Sequence, residues 1–143
     1  MVEIAIEYQG GLRCRAVHGP SGAVLHTDAP VDNHGRGESF SPTDLVATAL
    51  GVCMLTVMGI VAERHAWSLT GTRVKVVKHM VADPARRIGK LTVRFELPSA
   101  LDERARTTLA AAAHTCPVAK SLAAGLELDV EFAWTLAASE TRA

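Results

Sequence analysis

The sequence predicts an α+β fold with antiparallel sheets packed around one long central helix. Three observations carry that reading. Short segments of alternating apolar and polar residues, separated by turn signals, read as strands. A stretch of 18 residues without a charge, Leu45 to Ala62, reads as one long apolar helix. Hairpin-type breaks join most of the strands, which argues against a doubly wound parallel sheet. The order is three strands, a long helix, two strands, two helices and a last strand, with no repeat or internal linker.

Val2, Ile4, Ile6 and Tyr8 alternate with Glu3, Ala5 and Glu7 as a half-buried strand. Gly10-Gly11 breaks the chain. Leu12 to His18 follows, with Leu12, Cys14 and Ala16 on one face and Arg13, Arg15 and Val17 on the other. Gly19-Pro20-Ser21-Gly22 is a strong turn before a short strand, Ala23 to Thr27. Asp28 to Phe40, with Pro30, Gly35 and Gly37, has no periodicity and is a loop long enough to suggest function.

Three signals then open the long helix: Ser41 as N-cap, Pro42 at the first helical position and Asp44 three residues after the cap. The helix is expected to run to about His65. Trp67 to Met80 reads as a strand and Asp83-Pro84 as a turn. Leu91, Val93, Phe95 and Leu97 mark the next strand. Ser99 with Asp102 opens a second helix whose stripe is Leu101, Ala105, Leu109 and Ala112. Cys116-Pro117 opens a short third helix ended by Gly125, and Leu126 to Leu136 is the clearest strand. Residues 1–136 are expected to form a single domain, and 137–143 a polar tail.

With 15 Lys and Arg against 15 Asp and Glu, the chain carries no net charge and no footprint for nucleic acid. Aromatic residues make up only 4%, too few for base-stacking platforms. Leu45–Ala62 reaches the lower limit of a membrane span. Gly51, Gly59, Thr48, Thr56 and Cys53 inside it favour the core helix of a non-membrane protein. No signal peptide is visible, so the expected location is the cytoplasm. There three cysteines, an odd number, suit transient redox chemistry better than a structural disulfide.

Cys53 sits mid-helix, where a cysteine is commonly a small buried hydrophobe. Cys116 precedes Pro117 at a helix start, where free N–H groups and the helix dipole favour a thiolate, so it is the stronger thiolate candidate. Cys14 lies on the apolar face of its strand and reads as structural. Arg13 and Arg15 share a strand face. They are either solvated charges or, beside a thiolate, the donors that lower its pKa. Glu38 could anchor such an arginine. His65, His79, His114 and Cys116 lack metal-ligand spacing, and there is no phosphate loop or dinucleotide fingerprint, so neither metal nor cofactor is expected.

At Ser41-Pro42-Thr43-Asp44-Leu45, Gly51-Val52-Cys53 and Cys116-Pro117 the chain resembles the organic hydroperoxide resistance and osmotically inducible (Ohr/OsmC) family. Pro42 lies eleven residues before Cys53, and Cys116 lies 63 after it. Leu25-His26-Thr27-Asp28-Ala29-Pro30 and the element order to about residue 136 fit the same family. The resemblance implies an intertwined homodimer with two interfacial active sites, Cys53 as the peroxidatic and Cys116 as the resolving cysteine. Here Leu12 and Thr43 stand where the Ohr branch has Arg and Glu, which points to an OsmC-like branch with Arg13 or Arg15 in the arginine role.

The expected function is reduction of organic hydroperoxides through a Cys53 sulfenic acid and a Cys53–Cys116 disulfide, reopened by an external dithiol. Phe40, Val46, Leu50 and Val57 are the expected apolar pocket walls. The alternative is a non-catalytic OsmC-like protein that binds a small molecule or responds to redox state.

Overall fold

The structure, a computed structural model, describes residues 1–137. Beyond Ala137 the expected tail lies outside the described residues. The chain forms two compact units, Met1–Val46 and the part from Ala47 onward.

The first unit is an antiparallel meander of β1 (Ile4–Gly10), β2 (Arg13–His18) and β3 (Val24–Asp28), in that order. Tyr8 pairs with Cys14, and Arg13 with Asp28. Gly10, Gly11 and Leu12 all have positive φ, so Leu12 belongs to the turn and β2 starts one residue later than expected. β3 extends through Asp28, which the sequence reading had placed in the loop. The alternating apolar face of β1 is present but uncovered: Ile4, Ile6 and Tyr8 are each more than half exposed.

The loop after β3 is tied at both ends. The Asp28 amide donates to the Phe40 carbonyl at 3.1 Å, and the Gly37 amide to the Ala29 carbonyl at 3.1 Å. Gly35 is required there, because a Cβ on it would lie 1.7 Å from the Ala29 oxygen. The loop leads into α1 (Pro42–Arg64). Ser41 Oγ accepts the Asp44 amide at 3.1 Å, and Asp44 Oδ2 accepts the Ser41 amide at 2.8 Å. This is the reciprocal cap that the sequence predicts.

In the second unit α1 lies against a sheet of β4 (Arg73–Val81), β5 (Arg87–Pro98) and β6 (Glu127–Leu136). Leu50, Met54, Met58 and Ala62, one helical stripe, meet Leu91, Val93, Phe95 and Leu97 of β5 in the core. Gly51 lets the helix come close to Val76 and Val74. Another face of α1 stays open, with Val52 at 59% and Ile60 at 46% exposure.

Antiparallel pairing holds for β4–β5, but β5–β6 is parallel. The reason is the connection: α2 (Glu103–Ala113) and α3 (Pro117–Ser121) lie between β5 and β6, and a helical crossover returns the chain in the same direction. On β5, Lys90 pairs with Glu127 and Asp129, and Arg94 with Asp129 and Glu131 of β6.

Three further boundaries differ from expectation. β4 begins at Arg73, because Trp67–Thr72 turns instead, with Ala66 and Gly71 at positive φ. Asp102 alone caps α2, accepting the Ala105 amide at 2.8 Å; the Ser99 amide instead donates to the Leu136 carbonyl. α3 stops at Ser121, well before Gly125.

Candidate active site

The second unit brings two cysteines together. Cys53 sits half-buried on α1, and Cys116 is fully buried in the core at the N-cap of α3. Cys53 packs against the core cluster that includes Cys116, whose Sγ accepts the Ala119 amide at 3.3 Å. Cys53 packs against the core from α1, and Pro117 starts α3 directly after Cys116.

Burial pushes the Cys116 thiol pKa up, and the hydrogen bond to Cys53 adds to the rise. The amides of Ala119 and Val118 pull the other way with less effect. Burial thus opposes the Cys116 thiolate that its place at a helix start favours. Two amides of a five-residue helix do not offset full burial beside a second thiol. Chemically, a buried thiol in contact with a more accessible one is placed to attack that neighbour once it is oxidised.

The first unit holds a polar cluster. Arg13 Nη2 donates to Glu38 Oε2 and, at 3.4 Å, to Asp28 Oδ2. The Glu38 amide also donates to Asp28 Oδ2, at 3.0 Å. These groups line a 380 Å³ pocket together with Gln9, His26 and Ser39. The Glu38 amide and the Arg13 charge hold the Asp28 carboxyl below the ordinary carboxylate range, against the effect of its burial. The Arg13 guanidinium is raised, chiefly by Glu38.

Glu38 thus anchors Arg13. Arg15 lies two residues along β2, opposite Glu7 and His26, and takes no part in the cluster. Asp28 was missed by sequence reasoning. The signal was present, since the Gly19–Gly22 turn sets a register that faces Asp28 with Arg13.

Among the expected pocket walls, Leu50 is fully buried in the core and offers no open wall. Val57 is half-buried and packs against the same core. Phe40, 49% exposed, and half-buried Val46 belong to the first unit. Cys14 is half-buried on β2, opposite Tyr8 and Thr27.

His65, His79 and His114 are engaged elsewhere. His65 stacks on Trp67 at 4.3 Å, His114 meets Phe132 edge-on at 5.9 Å, and His79 bonds Thr92 at 3.2 Å. Among the described residues, no group of three His, Cys, Asp or Glu side chains could hold a metal ion.

The comparison with curated proteins returns no match. Solved structures do match. A protein from Psychrobacter arcticus, described for osmotic stress induction and detoxification response, is 42% identical, with 92% of this chain and 96% of that one covered and a TM-score of 0.87. The organic hydroperoxide resistance protein OsmC of Legionella pneumophila shares the fold at 17% identity and TM-score 0.75, covering 93% and 96% of the two chains. The organic hydroperoxide resistance protein OhrB of Bacillus subtilis does so at 17% and 0.64, covering 92% and 97%. A family model described as OsmC-like protein matches residues 35–131. The cysteine pair therefore sits on the fold of its relatives, and the chain belongs to the OsmC-like family.

Proposed function

We propose that this protein is a cysteine-based peroxidase that reduces organic hydroperoxides in the cytoplasm, working as a homodimer. The observation that carries the reading is half-buried Cys53 packed against the core that holds fully buried Cys116. The Cys53 thiolate attacks one peroxide oxygen. An S–O bond forms, the O–O bond breaks, and the alcohol leaves after taking a proton, so that Cys53 becomes a sulfenic acid. The Cys116 sulfur then attacks the Cys53 sulfur. An S–S bond forms, and the Cys116 proton leaves with the hydroxyl as water. An external dithiol reopens the disulfide by exchange and is itself oxidised.

Relatives described by organic hydroperoxide resistance support the substrate class. The uncovered apolar face of β1 and the open α1 face at Val52 and Ile60 support a second copy as the cover. In such a dimer Arg13, or Arg15, of one copy supplies the positive charge for Cys53 of the other.

Stopped-flow mixing of the reduced protein with cumene hydroperoxide tests this. The expected result is one peroxide consumed for two thiols lost. In Cys116→Ser the Cys53 sulfenic acid accumulates and is trapped by dimedone. Peroxide consumption by Cys53→Ser at the wild-type rate overturns the reading.

A further inference from the structure

The five residues of α3 include no buried side chain, and the chain after it stays unburied through Gly125. Val118, Ala119 and Leu122 are half-buried and pack against the core cluster that holds Cys116. A helix of five residues does not hold by propensity. It hangs on Cys116, which is 0% exposed. Cys116 Sγ accepts the Ala119 amide at 3.3 Å, and the Cys116 carbonyl accepts the Lys120 amide at 3.2 Å. At the other end the Leu122 amide reaches the Ala119 carbonyl at 3.4 Å. The sulfur is both the buried anchor of α3 and its side-chain cap.

A disulfide asks something else of that atom. Bonding to Cys53 holds the sulfur at a strict length and dihedral from its partner. Cys53 sits on α1, a helix of 23 residues with Leu50, Met54 and Met58 fixed in the core. α3 is short and has no buried side chain, so α3 is the element that yields. A disulfide sulfur also cannot become the thiolate, the form that an N-terminal amide stabilises most.

We propose that α3 is a redox-gated lid: with Cys116 reduced, its sulfur caps the helix and keeps it closed on the core, and once Cys116 is drawn into the disulfide with Cys53 the cap is lost and residues 117–125 open. Opening uncovers the Cys116 side of the disulfide to the external dithiol, and reduction closes the lid again. The proposal rests on the peroxidase reading above for the disulfide itself. The hydroperoxide is the oxidant: the hydroxyl of the Cys53 sulfenic acid leaves as water with the Cys116 proton, and one S–S bond forms.

Hydrogen exchange on the full chain tests this, with the protein reduced and after treatment with cumene hydroperoxide. Loss of two thiols and a mass lower by two hydrogens confirm the disulfide. The Ala119 and Lys120 amides are expected to exchange roughly fivefold faster or more in the oxidised protein, as befits a lost N-cap. The amides of Val93 and Phe95 in β5 are expected not to change. Cys116→Ser keeps a capping oxygen and forms no disulfide, so its Ala119 amide is expected to stay protected with or without peroxide. Cys116→Ala has no cap, so its Ala119 amide is expected to exchange fast in both conditions.

A disulfide that forms without faster exchange at Ala119 overturns the lid and leaves the peroxidase reading standing. Equal acceleration at Phe95 also overturns the lid, since the loosening is then not local to α3. Thiols fully retained after peroxide overturn the peroxidase reading, and the lid with it. Should Cys116→Ala fail to fold, the reduced and oxidised wild type decide by the same amides.

Discussion

Cys116 lies fully buried in the core against which Cys53 packs, and burial pushes its thiol pKa up against the amides of the helix it caps. Its native pKa therefore lies above its unfolded one. Between those two values the unfolded chain releases the thiol proton and the native protein keeps it, so stability falls as pH rises.

The consequence is measurable by urea unfolding under reducing conditions. The midpoint is expected to be independent of this thiol below about pH 8.5, the ordinary thiol value, and to decline above it. Cys116→Ser removes that part of the decline. Identical pH profiles for the two proteins between pH 8 and 11 rule out the burial of this thiol as the cause.

At Gly51 α1 packs closely on β4. A Cβ there would lie 2.7 Å from Val76 Cγ2 and 3.5 Å from Val74 Cγ1. Valine is stiff at χ1 and yields poorly. Gly51→Ala is expected to lose about 1–3 kcal/mol from overpacking, against about 1 kcal/mol gained in helix propensity. Val76→Ala in the same chain is expected to recover part of the loss, giving a favourable coupling in a double-mutant cycle. A Gly51→Ala protein more stable than wild type contradicts the close approach.

Gly35 faces backbone, which cannot move aside. Gly35→Ala is expected to cost more than about 1 kcal/mol and to open the loop between Asp28 and Phe40. Hydrogen exchange checks this: the amides of Gly37 and Glu38, which bond Ala29 and Asp28, are expected to lose protection. Unchanged protection there refutes the crowding argument.

Local chemistry made much of the fold legible. Ser41, Pro42 and Asp44 announce the start of α1 because a helix N-terminus needs acceptors for its free amides. β5 is legible because one face of it is buried and the period of two survives. The direction of β6 was not legible, since alternation looks the same in parallel and antiparallel strands. Leu12 was assigned to β2 because its turn geometry, at positive φ, is uncommon for leucine.

The site was legible as residue types. The cysteine pair followed from the family resemblance; the ranking by helix position favoured Cys116 as thiolate and could not see its burial, a tertiary property that pushes the thiol pKa up. Asp28 was overlooked as the first residue of a loop, when its pairing with Arg13 made it the last of a strand.

The parallel pairing of β5 with β6 also bears on how the second unit forms. Its partners, Val93 with Val130 and Phe95 with Phe132, are the most distant in sequence of any strand pair among the described residues. The β4–β5 hairpin closes a short loop and can form early, whereas β6 must wait until the chain from Pro98 to Glu127 has been gathered in. Loop-closure entropy thus falls on the last strand, and contact order places its docking late in folding. On a ribosome the chain emerges with Phe95 still lacking the Phe132 ring that stacks on it at 4.9 Å. The nascent protein carries an unfinished core until β6 has been made.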